Sequence, residues 1–318
     1  MPIAALRALG ASTLQVSRLA LGSWRTYEHL PRETGEAVMR AAREHGINFL
    51  DDARYNDETG SAPLPTGYSE VVFGELFRRA GWDRDEVVLA NKLWWEFWPA
   101  QSAEAELDGS LARMGLDHVD LIYAERPPTG FGLEEVVRQV GGLISKGKAR
   151  AWGVLNWNAS SIGEAVEIGR RQGVPAPCAA QLPYSLVQRS PVEDPEMLTA
   201  LAAAGAGVVA SYVMAGGVLT GKYTQPGESG RMAGHLHDDR VQPALPAGEK
   251  LRALAESWGA SPGPLAIAFA LQNPAVTTVL FGATSPEQVA QNCAALDLLQ
   301  RLDADQRTAL AAIGRAGN

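Results

Sequence analysis

Apolar, β-branched runs alternate with longer amphipathic stretches along nearly all of the 318 residues, and this alternation limits the fold more than any single motif. A short hairpin opens the chain, LRALG followed by LQVSRLALG. Candidate strands follow at RLALGS (18–23), INFL (47–50), EVVLAN (86–91), VDLIYA (119–124), ARAWGVL (149–155), CAAQL (178–182), GVVASY (207–212) and TTVLF (277–281). Between them, RETGEAVMRAAREHG places Val38, Ala41 and Ala42 on one helical face, and SEVVFGELFRRAG gathers Val72, Phe73, Leu76 and Phe77. Several such stretches end in Gly, the residue that closes a helix in a left-handed turn. Strand–helix alternation implies parallel strands joined by right-handed crossovers. Eight strands predict an α/β fold of the (β/α)8 TIM-barrel type, one barrel domain over 1–318, with the hairpin at its N-terminal side. A doubly wound open sheet is the alternative, but no G-x-G-x-x-G follows the first strand. Two connections are long and rich in Gly and Pro, 52–68 and roughly 213–245. Both leave strand ends that face the mouth of such a barrel, where barrel enzymes keep their chemistry.

The composition excludes several function classes. A hydrophobic share of 46% with 20% charged residues suits a large buried core. No run of eighteen apolar residues suggests a membrane span, and the start MPIAALRALGASTLQ does not read as a secretory signal. Cys178 and Cys293 stand at no metal-like spacing, so a cytoplasmic, disulfide-free protein is expected. A net charge of −8 and the lack of a basic stripe argue against nucleic acid. The sequence does not set the oligomeric state.

Polar residues cluster at the predicted strand ends. Gly22, Ser23 and Trp24 follow the first barrel strand; Asp51, Asp52 and Tyr55 follow the second; Lys92 follows the third. Glu125 and Arg126 follow the fourth, Asn156 and Trp157 the fifth; Gln181 closes the sixth, and Ser211 and Tyr212 the seventh. A lysine, a tyrosine and acids on one rim suit proton supply during hydride transfer. Hydride reaching a carbon leaves negative charge on oxygen, and a tyrosine whose phenolate is stabilised by a lysine ammonium can donate the proton. Asp51 is placed to hold that lysine. A Lys92–Asp51 ion pair that only stabilises the barrel mouth is the plainer alternative.

The chain resembles the aldo-keto reductase family along almost its whole length. The resemblance rests on LRALGASTLQVSRLALGSW, GINFLDDARY, DEVVLANK, SLARMGLDHVDLIY, GKARAWGVLNWN, AAQLPYSLVQRS, AGGVLTGKY and FGATSPEQVAQN, in the family's order. It implies an Asp-Tyr-Lys-His tetrad, a small carbonyl or enone substrate, and NADP(H), or NAD(H), lying extended across the mouth. Asp51 and Lys92 would tune Tyr55 as proton donor. Cofactor contacts would fall on Gly22, Ser23, Trp24 and Asp51, with Asn156 and Gln181 on the carboxamide. Ser211, Tyr212, Met214, Gly216, Leu219 and Lys222 would follow, Lys222 and Arg189 lying near the pyrophosphate. The adenosine end would meet Gly282, Ala283, Thr284, Gln288, Gln291 and Asn292. Trp24, Tyr55, Trp94, Trp95, Glu125 and Trp157 are candidate substrate contacts, although the aromatic segment KLWWEFWP is equally readable as a packed loop.

Four departures from the family pattern bear on function. Tyr55 stands four residues after Asp51, where the family writes D-T-A-x-x-Y, so Tyr68 is the alternative donor. DLIYAERP places Glu125 where the family has histidine, and His118 lies seven residues too early to replace it. Glutamate at this place is a feature of the family's steroid double-bond reductases, so reduction of a conjugated C=C bond stands beside carbonyl reduction. A non-catalytic nucleotide-binding regulator, like the family's potassium-channel β subunits, is the third reading. Leu155 replaces the serine of the usual Ser-Asn pair, and Ser211 the aromatic that normally stacks on nicotinamide. GATSPEQVAQN lacks the Arg or Lys that grips a 2′-phosphate. The segment GHLHDD, with His235, His237, Asp238 and Asp239, reads as a solvated loop, and no metal is expected.

Overall fold

The eight apolar runs pair edge to edge in parallel and close on themselves in a computed structural model. It describes residues 6–57, 60–224, 232–239 and 241–315. A small antiparallel hairpin comes first, β1 (Arg7–Ala8) with β2 (Gln15–Val16). The barrel strands are β3 (Leu19–Gly22), β4 (Phe49–Asp51), β5 (Val88–Leu93), β6 (Val119–Glu125), β7 (Ala149–Leu155), β8 (Ala179–Pro183), β9 (Gly207–Ser211) and β10 (Val276–Phe281). Each pairs with the next, and β10 closes the ring between β9 and β3. This is the (β/α)8 architecture expected from the alternation.

Helices α1 (Arg32–Glu44), α2 (Tyr68–Arg79), α3 (Ala103–Met114), α4 (Leu133–Ser145) and α5 (Ala159–Gln172) return the chain between strands. Their ends carry the local signals that stop and start helices. The Ser102 side chain accepts from the Ala105 N–H at the start of α3, and Gly115 closes that helix in the left-handed conformation. A single turn α6 (Ser190–Glu193) precedes α7 (Pro195–Ala204), which the Asp194 side chain caps. Then come α8 (Ala244–Ser257), α9 (Pro262–Gln272) and α10 (Pro286–Cys293). The strand–helix reading of the sequence names neither α8 nor α9. Ser261-Pro-Gly-Pro starts α9, with proline in the first turn where no N–H partner is needed. Among the described residues, no helix is long and apolar enough to cross a membrane.

Two apolar layers result. The larger lies between the strands' outer faces and the helices. The smaller fills the barrel, where Phe49, Leu121, Tyr123 and Val209 meet Leu9, Leu14 and Val16 of the hairpin. The hairpin therefore plugs the N-terminal end and leaves the C-terminal end as the open mouth. The plug is seated through Gly10, which has φ of +55°. A Cβ there would stand 2.2 Å from the Cys178 carbonyl oxygen and 2.3 Å from that of Gly205. Beside it the Ala11 N–H donates to the Gly205 carbonyl at 2.7 Å. Gly10→Ala is expected to cost about 2–4 kcal/mol through left-handed strain and overpacking. Urea unfolding should show a lower midpoint at unchanged slope. An unchanged midpoint would mean that the hairpin does not seat on the strand ends.

Candidate active site

A lysine can be buried in a barrel only if its charge is met by a carboxylate and its protons by acceptors. Lys92 is 3% exposed and sits inside β5, not after it; Asp51, 2% exposed, is the last residue of β4. The Lys92 ammonium donates to Asp51 Oδ1 and, at 3.3 Å, reaches the hydroxyl of Tyr55. Gln181 of β8 donates its amide N–H to the other carboxylate oxygen, Asp51 Oδ2, at 2.9 Å. Both carboxylate oxygens are thus occupied, and three strands converge on one polar knot.

Tyr55 reaches the knot from the loop after β4. The Gly67 N–H donates to the Tyr55 carbonyl at 2.8 Å, and an isolated antiparallel bridge joins Asn56 to Thr66, so the loop doubles back on itself. The other candidate, Tyr68, opens α2, and its hydroxyl accepts from Arg32 at 2.8 Å. Only Tyr55 of the two stands beside Lys92. Burial first, then the charges of Asp51 and Asp52, raise the Tyr55 phenol well above its ordinary range. The downward pull expected from Lys92 does not dominate this balance: the ammonium is already paired with Asp51, and the burial and acids around the phenol outweigh it.

Glu125 ends β6 half-buried, with its backbone carbonyl accepting from the Trp95 indole at 3.0 Å. Burial pushes its carboxyl above the usual carboxylate range, against a smaller downward pull from Arg126 and Lys92. Around these groups opens a cleft of about 870 Å³, whose inner part is walled by Gly22, Trp24, Trp94 and Leu155. The Tyr55 and Trp94 rings lie 6.1 Å apart at 58°. The same cleft is lined by Asn156, Ser211, Tyr212, Met214, Gly216 and Lys222. Gly282, Thr284, Gln288, Gln291 and Asn292 line it as well.

Several expected contacts are elsewhere. Ser23 is 1% exposed and turns its hydroxyl to Asp52. Trp95 packs edge-on against Phe131, and Trp157 against Trp152, both buried in the outer layer. Leu219 and Ala283 face the core. Arg189 lies over Phe269 and donates to the carbonyls of Ala311 and Ile313, tying the C-terminal segment rather than a ligand. His235 pairs with Asp238 at 3.3 Å, and the described residues gather no group of three or more His, Cys, Asp or Glu that could hold a metal ion. Conversely, Gly217, Thr220, Pro262 and Gly263 line the cleft without having been singled out. The Ser-Pro-Gly-Pro helix start is the signal that marks the last two.

A closed parallel barrel with a lysine, a tyrosine and two acids at its mouth defines the class as (β/α)8-barrel proteins built for ligands at the strand ends. The chain belongs to the aldo/keto reductase family, whose family model matches residues 18–315. It is 34% identical over 313 residues to a "Probable voltage-gated potassium channel subunit beta" of Oryza sativa subsp. japonica, covering 92% of each chain. It is 33% identical over 315 residues to a "Putative voltage-gated potassium channel subunit beta" of Schizosaccharomyces pombe, covering 93% of this chain and 89% of that one.

The donor set suits the nicotinamide dinucleotide that the resemblance implies. Asn156 and Gln181 are amide residues on the cleft lining with Lys92. Gly216 and Gly217 adopt φ of +67° and +96°, and the helix starts at Pro262–Gly263 and around Gln288 open on the cleft. The helix start at Gly263 and the Lys222 ammonium suit a pyrophosphate. Hydroxyls and amides of Thr284, Gln288, Gln291 and Asn292 suit a ribose and a base.

Behind the knot lies an acid that the rim reading did not use. Asp52 is 0% exposed; Oδ1 accepts from Ser23, and Oδ2 has no partner. Burial, then the charge of Glu70, raise it well above the carboxylate range. An acid whose folded pKa exceeds its unfolded value has its full stability below the unfolded pKa, and loses stability as pH rises toward the folded one. Asp52→Asn removes that loss. The variant should melt higher than wild type at pH 7.5, and the gap should close near pH 4. A gap independent of pH in thermal melts would refute the upward shift of Asp52.

Proposed function

We propose that this chain is an NAD(P)H-dependent oxidoreductase that reduces a carbonyl compound or the conjugated C=C bond of an enone. The observation that carries the reading is the Lys92 ammonium held at once by Asp51 and beside the Tyr55 hydroxyl at the inner end of the cleft. The dinucleotide, when bound, supplies hydride. Tyr55 then gives its proton to the substrate oxygen, Lys92 stabilises the phenolate left behind, and Asp51 keeps Lys92 in place. Trp24 and Trp94 wall the site against water and suit a flat or apolar substrate. Two unpaired cysteines fit the cytoplasm. The described lining holds two cations, Lys92 and Lys222, and neither belongs to the segment 282–292, so NADH should serve about as well as NADPH.

Glu125 bears on which bond is reduced. Protonated, it is a second donor for the same oxygen, and two hydrogen bonds polarise an enone through to its β-carbon. It is also slimmer than imidazole and lets the substrate sit deeper. A second reading, a nucleotide-binding regulator with this fold, is favoured by the names of the two relatives.

Tyr55→Phe should lower turnover by roughly 10²–10⁴-fold, the scale of one lost general acid. Equal turnover by wild type and variant, read by loss of reduced-nicotinamide absorbance, would exclude Tyr55 as donor. With one enone, wild type should give the saturated ketone. Its rate should decline as pH rises through the raised Glu125 value, because the donating form is the protonated one. Glu125→His should shift the product to the allylic alcohol. Allylic alcohol as the only wild-type product would end the double-bond reading.

A further inference from the structure

The buried cation next to Tyr55 is not used by the chemistry above. Arg54 has a side chain only 5% exposed, and its guanidinium reaches across two loops. One terminal nitrogen donates to Thr66 Oγ1 at 2.8 Å, on the returning limb of the loop that carries Tyr55. The other donates to Glu96 Oε2 at 2.8 Å and stands 3.7 Å from Glu106 Oε1, both on the far side of β5. The guanidinium lies 5.3 Å from the centre of the Phe97 ring.

Glu106 connects this cation to the aromatic wall. Itself 4% exposed, it accepts the Trp94 N–H on Oε1 at 2.8 Å and the Trp95 N–H on Oε2 at 3.3 Å. Those two amides belong to a turn in which Trp95 has φ of +61°, strained for a bulky residue. The turn persists because a buried carboxylate clamps it, and that carboxylate has Arg54 as its cation. Arg54 thus fixes the loop of Tyr55 with one nitrogen and, with the other, the acids that shape the turn of Trp94.

We propose that Arg54 is a positioning residue that fixes the proton donor Tyr55 relative to the aromatic wall at Trp94. The planar fork is essential, because it meets acceptors on two loops, which one ammonium cannot do. The proposal rests on the reductase reading for its kinetic consequence but not for its geometry.

Arg54→Met, Arg54→Lys and Thr66→Val, compared with wild type, test it in the presence of saturating NADPH and a flat aromatic aldehyde. Arg54→Met should lower kcat on the order of 10²-fold, the scale of an ångström of misplacement, and raise KM. The dinucleotide dissociation constant should stay within about twofold, since Arg54 does not line the cleft. Arg54→Lys should recover only part of kcat, and Thr66→Val should show a smaller loss of the same kind. Crystal structures of the variants read the geometry without turnover, and the Tyr55–Trp94 separation should leave 6.1 Å. Displaced rings in Arg54→Met, with no turnover by wild type on any carbonyl or enone, would sustain the positioning role and sink the reductase reading. Unmoved rings and unchanged kcat and KM with only a lower melting temperature would overturn the proposal. If Arg54→Met does not fold, the same result in Thr66→Val overturns it.

Discussion

A single ammonium inside the barrel determines how much of the mouth is arranged. Lys92 lies where water cannot solvate it, and the cost of burying a lone charge is several kcal/mol even after the site relaxes. The structure meets that cost with Asp51 on the neighbouring strand, and Asp51 is in turn completed by Gln181 from across the barrel. Strands β4, β5 and β8 must therefore end in register around one point, which a closed barrel enforces and an open sheet does not. Tyr55 takes the remaining place at the ammonium.

The same dryness sorts the acids. Asp51 has a donor on each oxygen, whereas Asp52, its neighbour in sequence, points the other way, accepts from Ser23 on Oδ1 and leaves Oδ2 without a partner. Alternation along an extended chain sends adjacent side chains to opposite sides of the sheet. That alternation makes one aspartate the lysine's partner and leaves the other buried in the packing, its carboxyl raised well above the usual carboxylate range. Glu125, half-buried at the end of β6, falls between them. It is dry enough to be pushed up and open enough to meet a ligand. Two groups whose acidity burial weakens, Tyr55 and Glu125, thus share one cleft while Lys92 and Asp51 pair beside them.

The barrel was legible in the sequence because eight apolar runs of strand length recur at helix-length intervals, a pattern that chain geometry links to few folds. The strand ends were less legible, for one reason. Apolar runs stop at Leu50 and Ala90, yet β4 and β5 continue through Asp51 and Lys92, since barrel-interior polar residues near the mouth are still strand. The pairing of Lys92 with Asp51 could be anticipated, because charged residues ending apolar strands have few uses. The places of Trp95 and Trp157 could not. Whether a tryptophan after a strand faces the mouth or the helices depends on the turn, and Trp95 turns with positive φ toward Phe131. Ser23 is a similar case, since only the fold reveals that its hydroxyl has a buried carboxyl to meet.

Strained turns of this kind recur around the mouth. Arg25, Trp95, Asn156 and Tyr212, each just past a barrel strand, have φ between +51° and +61°. Non-glycine residues occupy that region at a cost of about 1 kcal/mol or more each, so surrounding contacts must hold them there. At Asn156 the backbone N–H donates to the Gln181 carbonyl at 3.0 Å, and the carbonyl accepts from Arg126 at 3.1 Å. At Trp95 the holder is Glu106. A strand that simply ran on would carry its end residues out of the mouth. A left-handed step bends the chain sharply where the barrel stops. It leaves Asn156 and Tyr212 on the cleft wall while Trp95 turns into the core, so the strain in these turns is the local cost of an open ligand cleft on a closed barrel.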